Sequence, residues 1–174
     1  MAFRLLQLLV LLLLPLTVGA SDRPPQYFGL SLGDYDLTAD VDGDEVTAGV
    51  TNVGLHGGYR FSRFFALEGR LGYSRTSSSE LGERPDLVLG GGFARVDLPF
   101  DRVSLYGLLG ASTIGYDVGD GNKRESGVSG GVGVEIYGTP RTALNLEYVS
   151  HAAGDYEGIG IGVIHHFNWP SLRQ

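Results

Sequence analysis

Long segments in which apolar and polar residues alternate, with full charges in the middle of the polar face, constrain this chain more than any other feature. The clearest runs from Phe64 to Arg75. Phe65, Leu67, Leu71 and Tyr73 share one side with Gly69, while Ala66, Glu68, Arg70, Gly72 and Ser74 share the other. Alternation of period two marks a strand with two unlike faces. A helix would scatter these residues around its circumference.

The pattern recurs along the chain. Val53, Leu55, Tyr59 and Phe61 oppose Asn52, Gly54, His56, Gly58 and Arg60. Val128, Val132, Val134 and Ile136 oppose Gly127, Ser129, Gly131, Gly133, Glu135 and Tyr137. Leu144, Leu146 and Tyr148 oppose Asn145, Glu147 and His151, and Ile159, Ile161, Val163 and Phe167 oppose Gly158, Gly160, Gly162 and His166. Near the start, Phe28, Leu30 and Leu32 oppose Tyr27, Gly29, Ser31 and Gly33. In 87–98 the apolar face is assigned to Val88, Ala94, Val96 and Leu98, which turns Arg95 and Asp97 together to the other side. In 102–116 it is assigned to Val103, Leu105 and Leu109. The total is about eight strands of roughly ten residues or more, the length of a tilted strand crossing a bilayer rather than of a soluble sheet.

Connections alternate as well. Polar linkers at Asp34–Glu45, Thr76–Asp86, Asp117–Ser126 and Ala152–Glu157 are expected to be long loops. Short turns are expected at Ser62-Arg63, Pro99–Asp101 and Thr139–Arg141. An up-and-down membrane barrel sorts its connections in this way, long ones outside and tight ones in the periplasm, with both termini periplasmic.

The first twenty residues stand apart. Arg4 precedes an apolar run from Leu5 to Leu16, broken by Gln7 and Pro15, and the segment ends in Val18-Gly19-Ala20. A run of about a dozen apolar residues is too short for a membrane-spanning helix, which needs roughly 20, but suits a secretory signal peptide cut after Ala20. The expected division is a signal peptide over 1–20 and a barrel domain over 21–174, with its strands within about 25–167. The chain has no cysteine, so neither a disulfide framework nor an acylated N-terminal cysteine is expected in the exported protein.

A strand crossing lipid leaves no backbone group unpaired only if the sheet closes on itself. The face toward lipid must then be apolar, since a basic residue there costs about 2–4 kcal/mol at the midplane. Charges in mid-strand therefore point inward, and at eight strands the interior is filled by side chains rather than open. Arg60, Glu68, Arg70, Arg95, Asp97, Glu135 and Glu147 carry both signs, which predicts an ion network plugging the lumen. Inward glycines are expected to make room for the arginines and to ease the curvature of a narrow barrel.

Other functions are disfavoured by the same residues. The net charge of −7 disfavours a phosphate-tracking nucleic-acid binder. Gly90-Gly91-Gly92 and Gly158-x-Gly160-x-Gly162 lie in strands with no following helix to hold a nucleotide phosphate. Asp40-x-Asp42-Gly43-Asp44-Glu45 resembles part of a Ca²⁺ loop, but setting Gly43 at the turn position puts Thr38 and Gly49 where the end ligands belong. It reads as a solvated acidic loop, with divalent-bridged contact to lipopolysaccharide phosphates as a weaker alternative. Ser150 and His151, with Glu147 on the His151 face, raise the possibility of a lipid A-modifying hydrolase. Adjacent strand residues point to opposite faces, however, and the His-x-Ser order of those deacylases is not present.

The stretches Tyr27–Gly33, Phe65–Tyr73, Gly131–Glu135 and Leu146–Tyr148 resemble the outer-membrane β-barrel domain family, which includes the small porin-like barrels of OmpA and OmpX type. The likeness spans about residues 25–167. It implies an outer-membrane location; on the residues weighed above, no catalysis, no cofactor and no bound metal are expected. It also implies lipids and lipopolysaccharide as surroundings, barrel-assembly machinery as a partner in biogenesis, and a monomer. Family members commonly end in an aromatic that the assembly machinery reads; here Phe167 ends the last strand, but Asn168 to Gln174 follow it. The competing architecture is a soluble periplasmic barrel holding a small apolar ligand, which would reverse the two faces.

Overall fold

In the computed structural model, residues 23–41, 44–76, 86–118 and 121–168 are described. They form eight strands: β1 Gln26–Val41, β2 Asp44–Arg60, β3 Phe65–Thr76, β4 Asp86–Pro99, β5 Val103–Val118, β6 Gly121–Thr139, β7 Thr142–His151 and β8 Tyr156–Phe167. Each pairs antiparallel with its sequence neighbour, and β1 closes on β8 from Gln26↔Phe167 to Leu37↔Tyr156. The result is a closed up-and-down barrel with no unpaired strand within its wall. The residues assigned to a signal peptide lie outside the described residues.

The strands are longer than their apolar stretches. The β1–β2 ladder continues to Val41↔Asp44 and the β5–β6 ladder to Val118↔Gly121. The segments Asp34–Glu45 and Asp117–Ser126 are therefore paired strand for most of their length, not long loops. In β1 the outward Asp34 and Asp36 meet water while Tyr35 and Leu37 turn inward, and cross-strand hydrogen bonds hold polar strands as well as greasy ones. Of the other two long connections, residues 77–85 lie outside the described residues, and Ala152–Gly154 is a single 3-10 turn before β8. Tight turns at 61–64, 100–102 and 140–141 close the end at which β1 begins and β8 ends.

Polarity of the wall inverts along the barrel axis. Over the end with the tight turns, apolar side chains face out: Leu71 and Val132 are 61% and 63% exposed, whereas Asp97 and Glu135 inside are 0% exposed. At the hairpin end the arrangement flips. Tyr35, Leu37, Val50, Leu87, Leu89, Ile114, Tyr116 and Tyr156 pack together inside the mouth, and Asp34, Asp36, Thr51, Asp86 and Glu157 face out. The boundary falls between Leu32 and Asp34 on β1, Val53 and Thr51 on β2, Tyr73 and Arg75 on β3, and Ile159 and Glu157 on β8. Eight residue steps along β3 from Phe65 to Tyr73, at about 3.3 Å each and tilted about 40°, give an apolar band roughly 20 Å tall before side-chain reach is added. Tyr73 and Tyr148 stand at its hairpin edge; Phe28, Tyr59, Phe61, Phe65 and Phe100 stand at the other. Aromatic rims of this kind belong at membrane–water interfaces. A soluble ligand-binding barrel would need the reverse arrangement throughout.

Candidate functional site: the charged lumen

All seven charged residues singled out from the sequence lie inside the barrel, none more than 7% exposed. Strand alternation puts Glu68 and Arg70 two residues apart on the inner face of β3, and Arg95 and Asp97 likewise on β4. Glu135 on β6 and Glu147 on β7 face them across the lumen.

Two arginines organise the layer. Arg70 donates from Nε to Glu68 Oε1 at 2.7 Å and reaches across the barrel to Glu147 with both Nη atoms at 2.8 Å. Arg95 meets Asp97 Oδ1 from Nε at 3.0 Å and Nη2 at 2.8 Å, and meets Glu68 Oε2 from Nη1 at 3.3 Å. It also pairs with Glu135. Arg60, from β2, approaches Asp97 Oδ2 at 3.3 Å. Glu68 is thus shared by two guanidiniums and Asp97 by two, so the four carboxylates are held by three cations in one connected network. Bidentate, charge-assisted geometry is what lets ions remain charged when buried.

Tyrosines complete the network, a part that charge counting alone passes over. Tyr27 donates to Glu68 Oε2 at 2.8 Å and Tyr106 to Glu147 Oε2 at 2.8 Å, while Tyr137 donates to Glu135. The Arg95 guanidinium also lies 3.8 Å from the Tyr106 ring centroid, a cation–π contact. Tyr27 and Tyr137 occupy the polar-face parity of their strands, which was the available signal. Their rings also explain the inward glycines. A Cβ at Gly58 would strike the Tyr27 ring, one at Gly133 the Tyr106 ring and one at Gly29 the His56 ring. At these three positions the room is taken by rings rather than by arginines.

Both ends of the network are covered. Toward the termini, the Pro24 carbonyl lies 3.3 Å from His166 Nδ1, and the Arg23 guanidinium sits 3.7 Å over the Tyr137 ring. Toward the hairpins, the turn after β7 folds into the mouth. The Ala152 N–H donates to Ser112 Oγ at 3.2 Å and Ser129 Oγ at 3.1 Å, with Ala152 held at φ 49°. His151 faces inward with Nδ1 at 3.3 Å from Ser112 Oγ, whereas Ser150 lies on the opposite face, so the pair considered for hydrolysis is not brought together. Between the network and the apolar mouth is a chamber of about 20 Å³ lined by Ser31, Asn52, His56, Arg70, Glu147 and Tyr156. Outside the membrane band, Asp155 in the β7–β8 connection is raised above the ordinary aspartate value, first by burial and then by the Glu125 carboxylate with which it shares a hydrogen bond.

The closed eight-stranded barrel has counterparts among known proteins. The outer membrane protein beta-barrel domain family matches residues 6–167. The chain belongs to this family. Sequence comparison with curated proteins returns no match. Among solved structures, this outer-membrane barrel is similar to Neisserial surface protein A, with TM-score 0.63 and 16% identity over 82% of this chain and 97% of that one. It is also similar to Ail, the attachment invasion locus protein of Yersinia pestis, solved in complex with the heparin analogue sucrose octasulfate (TM-score 0.55, 18% identity, 82% and 99% covered). The outer membrane protein OprG from Pseudomonas aeruginosa gives TM-score 0.58 at 11% identity, with 84% and 98% covered. At these identities the likeness speaks for the fold alone.

Proposed function

We propose that this outer-membrane barrel is a closed, non-catalytic wall protein serving envelope integrity or surface contact, and that it conducts neither ions nor solutes. One observation carries the reading. The Arg70–Glu147 pair spans the lumen, held on one side by Glu68 and on the other by Tyr106. Moving an ion past it means separating buried partners, which costs several kcal/mol per charge. The apolar mouth adds a second barrier.

In this reading the chain is exported by a signal peptide over 1–20 and inserted by the barrel-assembly machinery. It stands as a monomer among lipids and lipopolysaccharide, with its termini toward the periplasm. The acidic β1–β2 hairpin then faces the cell exterior. A net charge of −7 favours cationic or divalent-bridged contacts there and opposes a polyanion-binding surface. Planar-bilayer recording tests closure: wild type should show no unitary conductance, and Arg70→Ala/Arg95→Ala should show one. A wild-type pore conducting simple salts would overturn the proposal. A deletion strain assayed for envelope stress and adhesion tests the role.

A further inference from the structure

The outside of the barrel carries a groove that the lumen argument does not use. Cross-strand register aligns Phe65, Val96, Gly107, Val132, Tyr148 and Ile159 in one outward row, each directly paired with the next. Because the strands are sheared, the row climbs from the terminal edge of the apolar band to its hairpin edge. Gly107 leaves a dip at its centre: a Cβ there would meet only the Gly131 carbonyl, at 4.0 Å. The depression along this row has a volume of about 970 Å³. It shares Leu146, Tyr148 and Ile159 with a second one of about 750 Å³, whose far side is Asp34, Asp36 and Glu157.

That rim is electrostatically unusual. Asp36 and Glu157 are directly opposed on β1 and β8, and Asp34 is the next outward residue along β1. Like charges directly opposite on a sheet are destabilising. Among the described residues none of the three forms an ion pair; Glu157 accepts only the Tyr148 hydroxyl, at 2.7 Å. Nor do three acidic or histidine side chains converge closely enough among the described residues to hold a metal ion. The three outward carboxylates leave an excess of negative charge at the rim of the groove, which a cationic headgroup would complement.

We propose that this groove binds a single-tailed amphiphile with a cationic amine headgroup. Its alkyl chain lies along the Phe65–Ile159 row within the bilayer. Its ammonium sits at headgroup level among Asp34, Asp36 and Glu157. The site is on the outer wall and does not depend on the lumen being closed.

The test uses the full barrel in phosphatidylcholine vesicles and spin-labelled alkyl probes matched in length, one an amine and one a sulfate. The motion-restricted fraction of each probe is measured by electron paramagnetic resonance. The amine should associate about fivefold more strongly than the host lipid, an excess that added salt reduces. Asp34→Asn/Asp36→Asn/Glu157→Gln should bring its association down to that of the host lipid. Gly107→Leu should weaken amine binding while leaving its salt dependence intact. Heat-modifiable gel migration verifies folding of each variant. Equal binding of amine and sulfate, no effect of the triple substitution, or sulfate binding that appears only with Mg²⁺ would each overturn the proposal.

Discussion

Arg70 spans the lumen, and the structure allows the cost of removing it to be worked through. Its guanidinium makes three bonds of 2.7–2.8 Å, one to Glu68 and two to Glu147. In Arg70→Met an unbranched apolar stem remains, but the guanidinium and its charge are lost. Glu68 retains Arg95 and Tyr27, so it remains compensated. Glu147 retains only the Tyr106 hydroxyl and becomes a buried anion without a cation. Leaving a buried ion unpaired costs about 3–5 kcal/mol, and the loss should sit near 4 kcal/mol. Total stability of a domain is only about 5–15 kcal/mol, so this is a large share. Adding Glu147→Leu removes the orphaned anion, and the double variant should recover to about 2 kcal/mol of destabilisation, less than Arg70→Met alone. Urea titration of the barrel in lipid vesicles, followed by circular dichroism and gel migration, gives both values if the slope is unchanged. A cost below about 1 kcal/mol for Arg70→Met, or additive effects in the double variant, would refute the network as the lumen's organising interaction.

Three further outcomes follow from local geometry. A Cβ at Gly110 would run into the Gly92 carbonyl, whereas one at Gly92 would meet nothing within 4 Å. Gly110→Ala should therefore destabilise by about 1–3 kcal/mol and Gly92→Ala by less than about 0.5 kcal/mol, read in the same urea assay. The raised Asp155 favours its neutral form in the folded barrel, so its contribution is present below the ordinary aspartate value and is lost as pH rises through the raised one. Amide exchange at 152–156, corrected for intrinsic rate, should show protection falling as pH rises from ~4 to ~7, and Asp155→Asn should remove that dependence. An Arg placed at Leu71, in the apolar band, should cost about 2–4 kcal/mol, while the same change at Thr113 near the hairpin end should be nearly neutral.

Much of this architecture is legible in residue order because one physical rule, apolar toward lipid, acts on every second residue of each strand. Phe65, Leu67, Leu71 and Tyr73 announce the outer face of β3, and Glu68 and Arg70 thereby the inner one. What alternation does not encode is which charges meet. Arg70 finds Glu147 across the barrel, 77 residues away, through the shear of eight strands together rather than through any local pattern. Nor does polarity mark where a strand ends. The acidic stretch of β1 reads as a loop because Asp34 and Asp36 face water, yet Tyr35 and Leu37 between them alternate inward, and the ladder to β2 continues past both. Above the membrane the alternation rule persists with its sign reversed, and a reading that assumes one sign throughout mistakes the reversal for a boundary.

That reversal bears on how the barrel closes. Within the membrane band, a partly formed sheet would expose both unpaired strand edges and the charged inner face to lipid, each unsatisfied group costing several kcal/mol. Arg70 on β3 and Glu147 on β7 compensate one another only after β4 to β6 have curved the sheet round, so the network contributes nothing until closure is nearly complete. The hairpin end has no such constraint. Its interior is apolar, its exterior is wet, and the β1–β2 and β5–β6 ribbons pair residues adjacent in sequence. The hairpins can therefore form early from local contacts, while the charged layer acts as a late lock that favours the closed barrel over every open intermediate. Weakening Arg70–Glu147 should then chiefly accelerate unfolding and leave early hairpin formation unaltered, as low transition-state involvement requires. Kinetics of Arg70→Met in vesicles decide this: a slowed folding phase with an unchanged unfolding rate would place the network in the nucleus instead.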